Sequence, residues 1–172
     1  MSWLRYDFYQ SSIPSAVAVV PRCGIASSVL LLTRSTEPAT GKLAFPGGFL
    51  RYDERPCDGV RREVLEETSF DIAIERLLCE TVVAYPYCGG TVSVLELAFV
   101  AQPVAADPTG VATGEASRID YYDVSALLGD AGALAFPEHR SVLERYLHSV
   151  NACLEDPSCL SCSGRPTCPA YW

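Results

Sequence analysis

An α/β domain, with a mixed sheet covered by helices on both faces, is what this sequence predicts. Two observations carry the prediction. Short β-branched and aliphatic runs recur along the chain, and two longer stretches repeat their apolar residues at helical spacing. Strands and helices interleave, which favours one layered unit over separate all-β and all-α parts. A chain of 172 residues, 49% apolar, suffices for one domain with a real core. No internal repeat is evident.

In chain order, residues 16–20 and 28–32 are aliphatic runs that end at turn signals and read as strands. Residues 41–48 form a short strand that breaks at Pro46-Gly47-Gly48. Residues 56–68 read as a helix, with proline at its start and Val60, Val64 and Leu65 on one apolar face. Residues 77–85 and 91–101 pair around the turn Cys88-Gly89-Gly90, and a short strand follows a polar loop at 119–122. The last helix is expected over 137–150, burying Val142, Leu143, Tyr146 and Leu147. After Asn151 the composition turns to Cys, Pro and Ser, so the domain is expected over 1–150 and a Cys-rich tail over 151–172.

The formal net charge is −8, against the basic face that a polyanion requires, so nucleic acid is disfavoured as a partner. A small anionic substrate remains compatible, because a bound divalent cation reverses the field locally. No stretch approaches the roughly 20 apolar residues of a membrane span. Met1-Ser2-Trp3-Leu4-Arg5 has no apolar signal-peptide core, and a cytoplasmic location is expected. The 8 cysteines are then expected as thiols or metal ligands more than as disulfides.

The chemistry concentrates in one segment. Glu63, Glu66 and Glu67 stand at i, i+3 and i+4, which gathers three carboxylates on one helix face. Like charges at this spacing destabilise a helix, and a hard divalent cation with oxygen ligands is the economical compensation. The Pro46-Gly47-Gly48 turn offers bare backbone, where a carbonyl can join the ligands. Arg62 can pair with Glu54 and hold the preceding loop against the helix.

The whole spacing resembles the Nudix box: Gly, five residues, Glu, seven residues, Arg-Glu, an aliphatic residue, any residue, Glu-Glu, any residue, Gly, then an apolar residue. Gly48, Glu54, Arg62, Glu63, Val64, Glu66, Glu67 and Phe70 fall in place. A chance match is on the order of 10⁻⁸ per starting point at average residue usage. Ser69 departs from the pattern, standing where glycine provides a left-handed backbone just past the helix. Similarity extends to Arg34-Ser35-Thr36-Glu37-Pro38 ahead of the box, to Glu115 before the last strand, and to Ala135-Phe136-Pro137-Glu138-His139-Arg140 at the last helix. It covers roughly residues 14–150 and implies the family's α/β/α sandwich.

The resemblance also implies a reaction, in which water attacks a phosphorus of a nucleoside diphosphate linked to another group. Glu63, Glu66, Glu67 and the Gly48 carbonyl would hold Mg²⁺ or Mn²⁺. The general base would be Glu67 or Glu115, with Glu67 favoured and Glu66 close by. Arg34, Pro86 and Tyr87 are the substrate candidates. Pro86 lies sixteen residues past Phe70, a placement associated with ADP-ribose pyrophosphatases, while Tyr87 is associated with dinucleoside polyphosphate hydrolases. Tyr52, Tyr85, Tyr121 and Tyr122 are candidates for stacking on a base.

ADP-ribose or a related nucleoside diphosphate sugar is the expected substrate. The alternatives are a nucleoside triphosphate or dinucleoside polyphosphate hydrolase, and a nucleotide-binding module without activity. Similar proteins are often homodimers. In the tail, Cys159-Leu160-Ser161-Cys162 has zinc half-site spacing, and Cys153 and Cys168 would complete a structural Zn²⁺ site; a disulfide or free thiols are the alternative.

Overall fold

The computed structural model of the chain describes residues 11–104, 111–114, 116–130 and 132–155. The elements run β1 (Ile13–Val19), β2 (Pro21–Arg22), β3 (Ile25–Arg34), β4 (Leu43–Ala44), β5 (Gly47–Phe49), α1 (Pro56–Thr68), β6 (Ile72–Tyr87), β7 (Gly90–Pro103), β8 (Ala116–Asp123), α2 (Val124–Gly129) and α3 (His139–Glu155). A mixed sheet has the order β5-β1-β7-β6, in which β1 and β7 run parallel and the other pairs antiparallel. A second, antiparallel sheet joins β2, β3 and β4, with β8 on the other flank of β3.

Alternation along β1 divides the core. Ala16, Ala18 and Val20 face Val60 and Val64 of α1, while Val17 and Val19 face Val142, Leu143 and Tyr146 of α3. Fully burying a valine or leucine is worth about 2 kcal/mol, so each helix is held mainly by this apolar seam. The layering is helix, sheet, helix.

The stretch at 41–48 resolves into two strands in different sheets: β4 pairs with β3, and β5 pairs with β1. Phe45 and Pro46 make the crossing, where proline has no N–H to leave unpaired. β6 begins earlier than alternation suggested, because register shifts at Ile74/Arg76 and Leu77/Cys79 interrupt the period of two. The short helix α2 was not expected. It spans 6 residues, too few to show a period, and starts where the Asp123 carboxylate accepts from the Ala126 N–H at 2.9 Å. The last helix runs on to Glu155.

Helix α1 occupies the expected residues and ends at Ser69, which is left-handed at φ 63° with its N–H bonded to the Leu65 carbonyl. A side chain in that region costs roughly 1 kcal/mol. Ser69→Gly is therefore expected to raise the melting temperature by a few degrees, with turnover unchanged, in paired thermal-melt and activity measurements. A lower melting temperature would contradict this account.

Among the described residues, Cys23, Cys57, Cys79 and Cys88 form no disulfide with one another. Cys153 lies in α3 with its side chain outside the description, and Cys159, Cys162 and Cys168 lie outside the described residues. Among the described residues, no helix is long and apolar enough to cross a membrane.

Candidate active site

Strand β5 lies antiparallel to β1, with Gly48 opposite Ala16, and this pairing lays the glycine turn over α1. Space there is minimal. A Cβ on Gly48 would stand 2.8 Å from the carboxyl carbon of Glu63, so only a bare backbone fits beside that carboxylate. The Gly47 N–H donates to Glu67 Oε2 at 2.9 Å. One short strand thus touches the first and the last carboxylate of the acidic face.

Arg62 is the hub. Its Nε donates to Glu54 Oε1 at 2.7 Å and its Nη2 to Glu54 Oε2 at 2.8 Å, a two-pronged pair that pins the loop before α1. Its Nη1 donates to Glu63 Oε1 at 2.6 Å and to Glu66 Oε2 at 3.2 Å. Glu66 also accepts from Arg51 Nη2 at 3.0 Å, an exposed contact of small value. The repulsion among the carboxylates is offset here by Arg62, Arg51 and the Gly47 amide.

The guanidinium of Arg62, with the Arg51 N–H beside it, holds the Glu54 carboxyl down to about 2, against an ordinary 4.5. A group whose value falls on folding stabilises the fold above its unfolded value and loses that contribution on acidification. The contribution is therefore complete above pH 4.5 and disappears as the pH falls toward about 2. Glu54→Gln should flatten the acid limb of a urea-midpoint profile across this window. An unchanged limb would remove Glu54 from the acid response.

The end of α1 is tied to a loop. The Val111 N–H donates to the Thr68 carbonyl at 3.1 Å and the Thr113 N–H to the Glu67 carbonyl at 3.0 Å, while the Thr113 hydroxyl bonds the Glu66 carbonyl. These bonds occupy carbonyls that a helix end leaves without partners. Glu115, two positions on, lies outside the described residues.

A ladder of rings flanks the carboxylate face. Phe49, next to Gly48, meets Tyr85 edge-on at 5.4 Å between centroids, and Tyr85 meets Phe136 at 5.7 Å. The Arg34 guanidinium stands 5.6 Å above the Phe136 ring, while its Nε donates to the Pro38 carbonyl at 2.7 Å. Of the four tyrosines proposed for stacking, Tyr85 alone belongs to this ladder. Tyr52 is 96% exposed in the loop before α1, and Tyr121 and Tyr122 pack against the two core halves. Pro86 and Tyr87 are exposed at the tip of the β6–β7 hairpin, paired with Thr91 and Gly90.

The arrangement suits a hard cation. The donors of Glu63, Glu66 and Glu67 are all oxygens on one face, and Gly48 puts no side chain of its own against Glu63. Among the described residues no three acidic, His or Cys side chains already converge on one point, and Arg62 occupies the position between Glu63 and Glu66. Gly48→Ala would push a methyl group into the Glu63 carboxylate. It is expected to lower kcat at least tenfold, on the scale of misplacing one site group, with only a small loss of melting temperature. Wild-type turnover would show that the cradle is dispensable.

Comparison with known proteins meets the same residues. The model of the NUDIX domain matches residues 13–146. The chain belongs to the Nudix family. It carries every carboxylate of the Nudix box, as a Nudix pyrophosphohydrolase does. An ADP-ribose pyrophosphatase of Methanocaldococcus jannaschii is 27% identical over 143 residues, 83% of this chain and 79% of that protein. Among solved structures, a MutT protein from Methanosarcina mazei Go1 superposes with a TM-score of 0.66 at 26% identity, over 81% of this chain and 95% of the other. The NUDIX domain of Shewanella oneidensis NrtR, solved in complex with ADP ribose, gives 0.65 at 20% identity, over 84% and 92%, a likeness of fold.

Sequence reasoning passed over Phe49, Thr113 and the buried pair Glu96 and His139. One signal was available: Glu96 interrupts the apolar run at 92–101 at a position whose neighbours on the same face, Val94 and Ala98, are buried. A carboxylate in such a place needs a partner in the core.

Proposed function

We propose that this Nudix hydrolase cleaves the diphosphate of ADP-ribose or a related nucleoside diphosphate sugar. The observation that carries the reading is the acidic face of α1, with Glu63 and Glu67 lying against the bare Gly47-Gly48 backbone. Glu63, Glu66, Glu67 and the Gly48 carbonyl are the residues that would hold Mg²⁺ or Mn²⁺, which when bound neutralises diphosphate oxygens and eases deprotonation of water. Glu67, oriented by the Gly47 N–H, accepts the proton of the attacking water; Glu115 is the alternative base. The new P–O bond forms as the bridging P–O bond breaks, and ADP-ribose yields AMP and ribose 5-phosphate. Arg62 keeps the loop and helix together without touching the substrate. Arg34 offers a cation to the phosphates, and the Phe49–Tyr85–Phe136 ladder offers a wall for the nucleoside. The choice among substrates is supported by the named activity of the Methanocaldococcus relative.

The test is product release from ADP-ribose, nucleoside diphosphate sugars, dinucleoside polyphosphates, NADH and nucleoside triphosphates, with and without Mg²⁺. Cleavage of ADP-ribose or a nucleoside diphosphate sugar that requires Mg²⁺ supports the reading. Preference for triphosphates or dinucleoside polyphosphates replaces the substrate. Silence throughout, with a folded protein, replaces hydrolysis with binding.

A further inference from the structure

Behind the ring ladder, His139 and Glu96 form a hydrogen-bonded pair inside the core. His139 is 1% exposed and Glu96 6% exposed, and His139 Nε2 lies 2.9 Å from Glu96 Oε1. The bond occupies Nε2, whichever of the two groups carries the shared proton. The other ring nitrogen, Nδ1, is buried and has no partner among the described residues. Among the described residues the polar anchoring of the His139 ring therefore comes from Glu96, a residue of β7 that is paired in register with Ser15 of β1. Buried polar groups are costly and are kept where they set one arrangement.

The arrangement they set is the first turn of α3. The His139 ring contacts Phe45 at 5.1 Å and Phe136 edge-on at 5.2 Å. Phe136 in turn carries Arg34 above it and Tyr85 beside it. An apolar residue in place of His139 could fill the space but would not fix the rotation of the turn against β7. We infer that the His139–Glu96 pair is a positioning device, which locks Phe136 and through it Arg34 against the site, so that substrate is bound in one pose. The inference rests on the reading of Arg34 and Phe136 as the substrate wall. Neither member of the pair is a catalytic residue.

The test compares His139→Leu, which removes the polar anchor, with His139→Gln, whose amide N–H reaches toward Glu96, and Glu96→Gln, which keeps the shape but weakens the bond. On the nucleotide the wild type cleaves best, His139→Leu should raise KM roughly tenfold with kcat nearly unchanged, and His139→Gln should restore KM. A second readout needs no substrate. The Arg34 Nε–H resonance, shifted by the Phe136 ring below it, should move in His139→Leu and by less in Glu96→Gln. The Arg62 Nε–H, held by Glu54, should stay in place.

A folded His139→Leu with the Arg34 resonance unmoved, or with kcat and KM both at wild-type values, overturns the inference. If His139→Leu does not fold, an unmoved Arg34 resonance in Glu96→Gln overturns it equally. If the wild type cleaves no nucleotide, the functional reading fails, and the resonances alone decide the positioning role.

Discussion

Glu67→Gln is expected to lower kcat about a hundredfold or more, the usual scale for removing a general base or metal ligand. The substitution is a clean one. Glutamine keeps the volume of the side chain, and its amide oxygen can still accept the Gly47 N–H that Glu67 Oε2 accepts at 2.9 Å. The turn, the helix and the cradle should stand unchanged, so the loss reports the charge and basicity of one carboxylate. Turnover measured at saturating nucleotide and Mg²⁺, beside a thermal melt, separates this from unfolding. A large fall in kcat with an unchanged melting temperature supports the assignment. Near-wild-type turnover would transfer the base to Glu115.

Gly47→Ala is expected to destabilise the fold by about 3 kcal/mol or more, because the new methyl group meets main chain rather than mobile side chain. A Cβ there would stand 2.2 Å from the Ala16 carbonyl oxygen and 2.6 Å from the Val17 Cα. The φ of 145° is one that residues with a side chain rarely adopt. Relief would require β5 to move off β1, and the Gly47 N–H would leave Glu67. For a chain of this size the melting temperature should fall by roughly 10 °C, and activity should fall with it. The contrast with Gly48→Ala is informative, since that methyl group meets a side chain that can turn away. A melt within about a degree of wild type at Gly47→Ala would show that β5 can shift without cost, on the same scale.

The two glycines show how far sequence reached. Their presence before an acidic helix pointed to a close approach of backbone. It did not say that Gly47 is pressed on β1 and Gly48 on Glu63, which are different constraints with different consequences. Ser69 was legible because a helix end has local geometry, and a left-handed residue there depends only on its neighbours in the chain. The α1 boundaries were legible for the same reason. Proline at the start, valines at helical spacing and a polar end are all local signals.

The family, the acidic face and the main strands and two long helices were readable along the chain alone, because they rest on spacings of a few residues. Which strand lies over the carboxylates, the division of residues 41–48 between two sheets, and the shared wall of Phe49, Tyr85 and Phe136 emerge only once the elements are packed. So does the meeting of Glu96 and His139, 43 positions apart, in the core. Pairings over such separations are set by the packing of whole elements against one another, and no local pattern encodes them.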